Sequence, residues 1–437
     1  MFMAAIDQTI VATALSQIQK DLNSGLQWGA WTITIYSLGQ VLVMPLAGKL
    51  SDTYGRKRVF IIAAVVFTAS SVACGLSVNV YMLVALRAVQ SIGGGAFMPS
   101  ASGLVADHFG RDRDRALGIF ASIFPIGAVV GPILGGVFVT YWSWRGIFLI
   151  NLPIGVVLIV LALAFFPKGA AGPVAHPKVD IYGIVLLGVV ILSAMLGITI
   201  LGDGTLSAAS PGFLIPEAIA AIGGWLFVRH ARRSPHPFIP LNLLVGRGFG
   251  TLNIINFLYG SAALGFSALV PIYAHDRFRI PILEAGTLLT ARAVGMILVS
   301  SLAVMALRRI GYRLPMAVGF LFVAGGLTML AVPIEGLTPY AWLSIGACVT
   351  GLGMGMSIPA ANNAALELAP DQVSSLAGIR GMFRQSGGII SVSIATAVAA
   401  RSGNAGVSLG IVFLVFAAVL VCALALIYRV PEHRGAW

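Results

Sequence analysis

The stretch Gly48-Lys49-Leu50-Ser51-Asp52-Thr53-Tyr54-Gly55-Arg56-Lys57-Arg58 lies between two long apolar runs, residues 30–49 and 59–76. Each run has about the length that crosses the roughly 30 Å hydrocarbon core of a bilayer at about 1.5 Å per residue. The charged stretch itself is stable only at the membrane edge, because each charge at the bilayer centre costs at least about 2.5 kcal/mol. The sequence therefore predicts a short cytoplasmic loop between two membrane helices.

The composition also indicates a membrane protein. Of 437 residues, 58% are hydrophobic and only 10% are charged, and there are 52 glycines. A soluble core cannot bury that much apolar surface, and glycine is frequent in packed membrane helices. The net charge of +12 lies in loops between apolar runs, so we attribute it to orientation by cytoplasmic basic residues and not to nucleic-acid binding.

Windows of about 20 apolar residues predict fourteen membrane spans. Basic residues concentrate in alternate loops, which predicts a multi-pass protein of the inner (cytoplasmic) membrane with both termini cytoplasmic. The predicted spans are residues 1–19, 29–49, 58–77, 79–106, 114–140, 145–166, 180–202, 214–231, 248–275, 283–307, 313–333, 338–368, 373–399 and 404–428.

An internal repeat groups these spans. The segment 91–99, which ends at Pro99 and is followed by Asp107, recurs at an offset of 260 as 351–359, followed by Glu367. The charged loop has a weaker copy at 307–313. The pattern Gly-x-Leu-Ser-Asp-x-x-Gly-Arg-Lys-Arg resembles the loop motif of the major facilitator superfamily, whose fold has two parallel six-helix halves. The resemblance implies halves at 1–166 and 248–437, with two extra helices in 167–247.

Four further motifs resemble the fourteen-span drug:proton antiporter branch of that superfamily, the multidrug efflux transporters. They are Asp7-Gln8-Thr9-Ile10-Val11, Arg87-Ala88-Val89-Gln90-Ser91-Ile92-Gly93, the glycine-rich segment 127–136, and Trp144-Arg145 with Phe148, Asn151, Pro153 and Gly155. The resemblance implies an all-α, proton-coupled antiporter that exports amphipathic or cationic drug-like compounds by alternating access.

Ionisable residues inside apolar spans are functional candidates by default. Asp7 is predicted to be the sole acid deep in any span and the proton-coupling residue, with Arg87 adjusting its affinity. For Arg292 the ordinary alternative to a functional role is a pair with Glu284, two turns earlier. The polar candidates for a substrate cavity, each also explicable as an ordinary interhelical hydrogen-bonding residue, are Tyr36, Gln40, Gln90, Asn253, Asn256 and Tyr259.

Two further groups have proposed mechanical roles. The resemblance implies that the loop residues Gly48, Asp52, Gly55, Arg56 and Asp107 form a cytoplasmic latch; solvated loop charges are the alternative. The second group is Gly127, Gly131, Pro132, Gly135 and Gly136. Glycines spaced by four share one helical face and admit a neighbouring helix, so this motif is either tight packing or a seal between the halves.

Enzyme signals are absent from the sequence, which has neither a Walker motif nor metal-ligand spacing among its histidines and three cysteines. We therefore expect no metal and no cofactor. The expected partners are a small-molecule substrate, protons and the lipid bilayer, with no nucleic acid, for a monomeric protein. Two alternatives stay open: an exporter of a native lipid, siderophore or metabolite, and a non-transporting membrane sensor or scaffold.

Overall fold

The computed structural model describes residues 2–24, 26–110, 113–166, 180–202, 207, 209–235, 237–246, 248–334, 336–369, 372–402, 404–430 and 432. Throughout these residues the regular structure is helical. The start of the predicted central segment 167–247, up to residue 179, and the end of the chain after residue 432 lie outside the described residues.

The helices are α1 (Phe2–Asp21), α2 (Leu26–Tyr54), α3 (Arg56–Gly75), α4 (Val80–Phe109), α5 (Arg113–Tyr141), α6 (Gly146–Leu149), α7 (Asn151–Phe165), α8 (Ile181–Gly202), α9 (Pro211–Arg233), α10 (Leu241–Val245), α11 (Phe249–Phe278), α12 (Ile282–Ile310), α13 (Arg313–Ala331), α14 (Pro339–Leu368), α15 (Val373–Ala400) and α16 (Ala405–Ile427). Among them, α6 and α10 are single short turns of 4 and 5 residues.

Ten of the described helical segments are long and apolar enough to cross a membrane. Two of the remaining helices, α1 and α15, have sufficient length but more polar sequences. Helix α1 carries Asp7, Lys20 and Asp21, and α15 carries Arg380 and Arg384. Charged residues lower the mean hydropathy of a helix, although a charge turned towards protein instead of lipid is tolerated in a membrane.

The first of two compact units contains Met1–Lys178 and Asp371–Met382. Within it, α4 packs against α2 and α3, α1 packs against α5, and α3 packs against α7. The core between these helices is aromatic and aliphatic, and Phe67 and Phe97 meet there with ring centroids 5.3 Å apart. This unit holds the predicted coupling pair, the charged loop and the glycine motif.

The second compact unit contains Val179–Pro370 and Phe383–Trp437. Helix α14 packs against α12 and α13, α16 packs against α11 and α13, and α8 forms a hairpin with α9. Its core includes the buried rings of Phe266, Tyr273 and Phe320. The helices α8 and α9, predicted to stand outside both halves, belong to this unit.

The internal repeat is visible in the helix boundaries. Helices α2 and α12 both have 29 residues, and an offset of 256 relates their first residues, Leu26 and Ile282, and their last, Tyr54 and Ile310. Glycines at matching positions, Gly39 and Gly295, lie against α4 and α14 respectively. The offset of 256 therefore assigns each α12 residue a counterpart on α2.

Candidate functional site

The first unit contains an ion pair that is completely buried. Arg87 on α4 donates from Nη1 to Asp7 Oδ2 on α1 at 2.7 Å, and the two side chains are 1% and 0% exposed. Burial of one such charge without the other would be very costly, whereas a hydrogen-bonded pair is tolerated. The structure therefore brings together the two residues that the sequence singled out for proton coupling.

Neutral side chains complete the hydrogen bonding of this pair. Gln90 donates from Nε2 to Asp7 Oδ1 at 2.9 Å, and Asn151 on α7 donates from Nδ2 to the same oxygen at 3.4 Å. Arg87 donates from Nη1 to Gln90 Oε1 at 2.8 Å and from Nε to the Thr32 carbonyl oxygen at 3.1 Å. Both carboxylate oxygens therefore accept hydrogen bonds, and the guanidinium is held from several sides.

Tyr36 lies beside this network. The guanidinium carbon of Arg87 is 3.9 Å from the centre of the Tyr36 ring, a distance that allows a cation–π contact. Gln40, one helical turn further along α2, lies against the glycines at 94 and 95 of α4. Of the predicted cavity residues, Tyr36 and Gln90 thus contact the ion pair directly.

Three members of the network had no site role in the sequence interpretation: Asn151, Ser71 and Thr32. Asn151 also donates to Ser71 Oγ at 3.0 Å, which fixes the amide between α3 and α1. Its only sequence signal was its place in the Trp144–Gly155 motif. Amides and hydroxyls are common in membrane helices, so their types alone do not separate this network from ordinary packing.

The predicted cavity residues on α11 make hydrogen bonds of their own. Asn253 donates to the carbonyl oxygens of Leu243 and Leu244 at 2.9 and 3.0 Å, tying α10 to α11. Asn256 donates to the Leu252 carbonyl oxygen of its own helix at 2.7 Å. Tyr259 packs edge-to-face on Phe320 with ring centroids 5.1 Å apart. Each of these contacts lies within the second unit.

The charged loop forms a compact cluster in the first unit. Arg56 donates from Nε and Nη2 to Asp52 Oδ1 at 3.3 and 3.2 Å, to the Gly103 carbonyl oxygen at 3.0 Å, and to Asp107. Asp52 Oδ2 accepts from the backbone N–H and the hydroxyl of Ser375 at 2.8 and 2.7 Å. Ser375 lies in the first turn of α15. A carboxylate there accepts hydrogen bonds from free backbone N–H groups and interacts favourably with the positive end of the helix dipole.

Glycines make this cluster possible. A Cβ at Gly48 would lie 2.9 Å from the Ser375 Cα, so any larger residue would force α2 away from α15. Gly55 ends α2 with φ of +98°, a conformation that other residues rarely adopt. Asp107 is 63% exposed, whereas Asp52 and Arg56 are each 14% exposed, so the partly buried pair is the stronger electrostatic contact.

The glycine motif of α5 packs against α1. A Cβ at Gly127 would lie 2.7 Å from the Ala5 Cβ, one at Gly131 would lie 3.0 Å from the Ile6 carbonyl oxygen, and one at Gly135 would lie 3.1 Å from the Ile10 carbonyl oxygen. A Cβ at Gly136 would meet nothing within 4 Å. The three glycines spaced by four therefore let α5 approach the helix that carries Asp7. Pro132 lies within α5.

Two expectations about other intramembrane charges are wrong. Arg292 does not pair with Glu284; it donates from Nη1 to the Ala263 carbonyl oxygen on α11 at 2.6 Å, because its side chain extends towards α11. Asp7 is not the sole acid inside a span. Helix α9 begins at Pro211, earlier than predicted, which places Glu217 nearly two turns inside it, packed against Gly197.

An acid at the edge of α8 joins several segments of the second unit. Asp180 accepts from the backbone N–H groups of Gly183 and Phe238, both at 2.9 Å, and lies 2.7 Å from His230 Nε2. Burial raises the pKa of the Asp180 carboxyl, but these hydrogen bonds and His230 outweigh burial and hold the pKa below its ordinary value. The ionised carboxylate thus links the start of α8 to the end of α9.

The described residues contain no group of three or more His, Cys, Asp or Glu side chains able to hold a metal ion. The buried charges of Asp7 and Arg87 neutralise each other. Together with the apolar helices, a buried and paired charge of this kind is typical of a multi-pass membrane protein with ionisable groups inside the bilayer.

Comparison with known proteins identifies the family. The family model described as Major Facilitator Superfamily matches residues 1–256 and 252–437. The chain therefore belongs to the major facilitator superfamily and is a multi-pass membrane transporter. The two matches cover the two copies of the internal repeat.

Relatives and a solved structure agree with this assignment. The chain is 32% identical over 411 residues to the multidrug transporter protein MdtP of Bacillus subtilis, covering 92% of this chain and 74% of the relative. It is 29% identical over 445 residues to the methylenomycin A resistance protein of Streptomyces coelicolor, covering 99% and 91%. The crystal structure of the human organic anion transporter MFSD10 (TETRAN) has the same fold, with a TM-score of 0.67 at 13% identity over 98% of this chain and 97% of that one.

Proposed function

We propose that this transporter is a proton-coupled antiporter that exports amphipathic or cationic drug-like compounds across the cytoplasmic membrane by alternating access. The buried Asp7–Arg87 pair carries this proposal. An ionisable group inside a membrane helix is costly, so its presence is by default a sign of function. The names of the relatives, a multidrug transporter protein and a methylenomycin A resistance protein, support drug-like compounds as substrates.

In this mechanism Asp7 is the group for which proton and substrate compete. The ionised carboxylate is neutralised by Arg87 and accepts from Gln90 and Asn151. A proton on Asp7 removes the attraction for Arg87, so protonation and pairing exclude each other. A cationic substrate near Asp7 competes with the proton in the same way, because a single negative charge serves both.

The loop cluster is proposed as the latch that controls the change of conformation. Asp52 holds the first turn of α15 through Ser375, and Arg56 holds Asp52 and Asp107. These contacts are polar and partly exposed, so a small free energy separates their formed and broken states. The glycine motif of α5 is proposed to let α1 shift relative to α5 as Asp7 changes its charge.

We further propose fourteen membrane spans, with six-helix halves at 1–166 and 248–437, two extra helices in 167–247, and both termini cytoplasmic in a monomer. Fourteen described helices of at least 15 residues, counting α1 and α15, support this number. Accessibility labelling tests it: a tag after Trp437 should be cytoplasmic and a tag between Leu201 and Pro211 should be external. Labelling of both tags from one side would refute it.

The decisive experiment measures drug-dependent proton movement in proteoliposomes. With an imposed pH difference, the wild type should accumulate a cationic dye and release protons, and Asp7→Asn should do neither because it cannot exchange a proton. Asp276→Asn, which removes an exposed carboxylate at the end of α11, is the matched control and should behave as the wild type. Uphill accumulation by Asp7→Asn would disprove coupling through Asp7.

The same vesicles address the alternative substrates. Competition against the dye by a panel of lipids, siderophores and other metabolites would identify an exporter of native compounds. Absence of substrate-dependent proton release for every compound would indicate a sensor or scaffold that has kept the fold. The buried charge pair favours transport, because a scaffold gains nothing from it that an apolar pair would not supply.

A further inference from the structure

Arg292 is a cation inside the second unit, and no carboxylate among the described residues pairs with it. It lies ten residues after Ile282, the first residue of α12, and therefore about 15 Å along the helix. Its Nη1 donates to the Ala263 carbonyl oxygen, and its guanidinium carbon is 4.9 Å from the centre of the Phe266 ring. Among the described residues, no salt bridge involves Arg292. The carbonyl and the ring hold the guanidinium but do not cancel its charge.

The side chain of Arg292 points away from lipid. On the lipid-facing side of α12, Val294, Leu298, Leu302 and Met305 are 48 to 66% exposed. At about 100° per residue, Arg292 projects on the opposite side of the helix, together with the fully buried Ala285 and Leu288. This direction excludes a simple lipid-facing charge that extends to the membrane surface.

The internal repeat gives Arg292 a counterpart in the first unit. Arg292 on α12 corresponds to Tyr36 on α2, because the two helices are related by an offset of 256. In the first unit the Tyr36 ring stacks on Arg87, which is paired with Asp7. The equivalent position in the second unit therefore carries a positive charge, and the described residues supply no anion beside it.

We propose that Arg292 binds the anionic group of the transported compound, a carboxylate in the first instance, so that the substrates include zwitterionic amphiphiles as well as cations. The guanidinium presents a planar fork of donors that matches a carboxylate, and the Phe266 ring offers an apolar surface beside it. An isolated charge in an apolar region is unfavourable, so an arriving carboxylate is stabilised at Arg292 more than it would be in water. This inference rests on the proposed export of drug-like compounds.

The test uses two dyes that differ only at the proposed contact: a rhodamine with a free carboxylate and its methyl ester. Both are transported by wild-type proteoliposomes of neutral phosphatidylcholine if the proposed function holds. Arg292→Gln should raise the KM for the acid about tenfold and leave the KM for the ester within about twofold, because a charge-assisted hydrogen bond is worth roughly that factor. Arg292→Lys should recover part of the affinity for the acid.

The control is Arg309→Gln, which removes an exposed positive charge near the end of the same helix and should change neither KM. Equal losses for acid and ester in Arg292→Gln would assign Arg292 to structure alone and overturn the inference. An effect that occurs only when phosphatidylglycerol is added would assign the site to a lipid phosphate and also overturn it. Failure of the wild type to transport either dye would instead reject the proposed function.

Discussion

The Asp7–Arg87 pair allows a quantitative test of how the first unit tolerates charge. The pair is 2.7 Å apart and 0–1% exposed, and removal of one partner from such a buried pair costs about 3–5 kcal/mol because the other charge is left uncompensated. Arg87→Gln leaves Asp7 with the donors Gln90 and Asn151. Asp7→Asn leaves Arg87 with the Thr32 carbonyl oxygen and Gln90. Because these contacts remain, we expect each single variant to lose about 3 kcal/mol of unfolding free energy, the low end of that range.

The double variant should be more stable than either single variant. With Asn at 7 and Gln at 87 no charge remains, and the neutral amides can hydrogen-bond to each other, so we expect a loss of only about 1–2 kcal/mol. The coupling energy from the double-mutant cycle is then about 4–5 kcal/mol. Reversible unfolding in mixed detergent micelles measures the four free energies. Simple addition of the two single losses in the double variant would show that the residues do not act as a pair.

Three further predictions concern packing, the latch and pH. Gly131→Leu should leave a folded but inactive or uncoupled transporter, because the larger side chain drives α5 away from α1. Gly136→Leu is the control and should stay active, because a Cβ at Gly136 meets nothing within 4 Å. Equal activity of the two variants in transport assays would show that close packing at Gly131 is not needed for transport. Asp52→Asn should slow transport strongly without weakening equilibrium dye binding, and Ser375→Ala, which removes one of two hydrogen bonds to Asp52, should have a smaller effect; lost binding in Asp52→Asn would contradict the latch. The lowered pKa of Asp180 means that its stabilisation is complete above the unfolded-state pKa of about 3.9 and is lost as the pH falls through the lower folded-state value, so thermal stability should fall more in the wild type than in Asp180→Asn as the pH drops below about 4.

Helices and their order were predictable because lipid imposes a strong constraint on sequence. An apolar run must be helical to satisfy its backbone, so the charged loop at 48–58 alone located the boundary between α2 and α3. The start of α9 was harder, because Pro211 and Gly212 read as loop residues although proline is well accommodated in a first helical turn. Because the predicted span began three residues too late, Glu217 was assigned to the membrane edge and not to the interior of a helix.

The ion pair and its neutral neighbours Tyr36 and Gln90 were predicted as site residues, whereas Asn151, Ser71 and Thr32 were not. Charged residues in apolar spans are rare, and this rarity is itself a signal for Asp7 and Arg87. Asn151 carries no charge and reaches Asp7 across 144 residues of sequence, so its role depends on helix packing that no local pattern encodes. The same limit explains Arg292: spacing along α12 suggested Glu284 as its partner, whereas packing of α11 supplied the Ala263 carbonyl oxygen.

The two units repeat one architecture but place different chemistry at matching positions. Arg56 and Asp107 form an ion pair in the first unit; at the corresponding positions of the second unit Tyr312 donates to Glu367, a contact that has no positive charge.

In the buried part of the helices, it is the second unit that carries the unbalanced positive charge. The first unit has a neutralised pair, Asp7 with Arg87, and the second has Arg292, which pairs with no carboxylate in the described part of the chain. A pair that is neutral overall responds to a proton, because protonation unbalances it, whereas a lone guanidinium cannot lose its proton at any cellular pH and responds only to an anion. In the mechanism we propose, coupling to the proton gradient therefore falls to the first unit, and discrimination by substrate charge falls to the second.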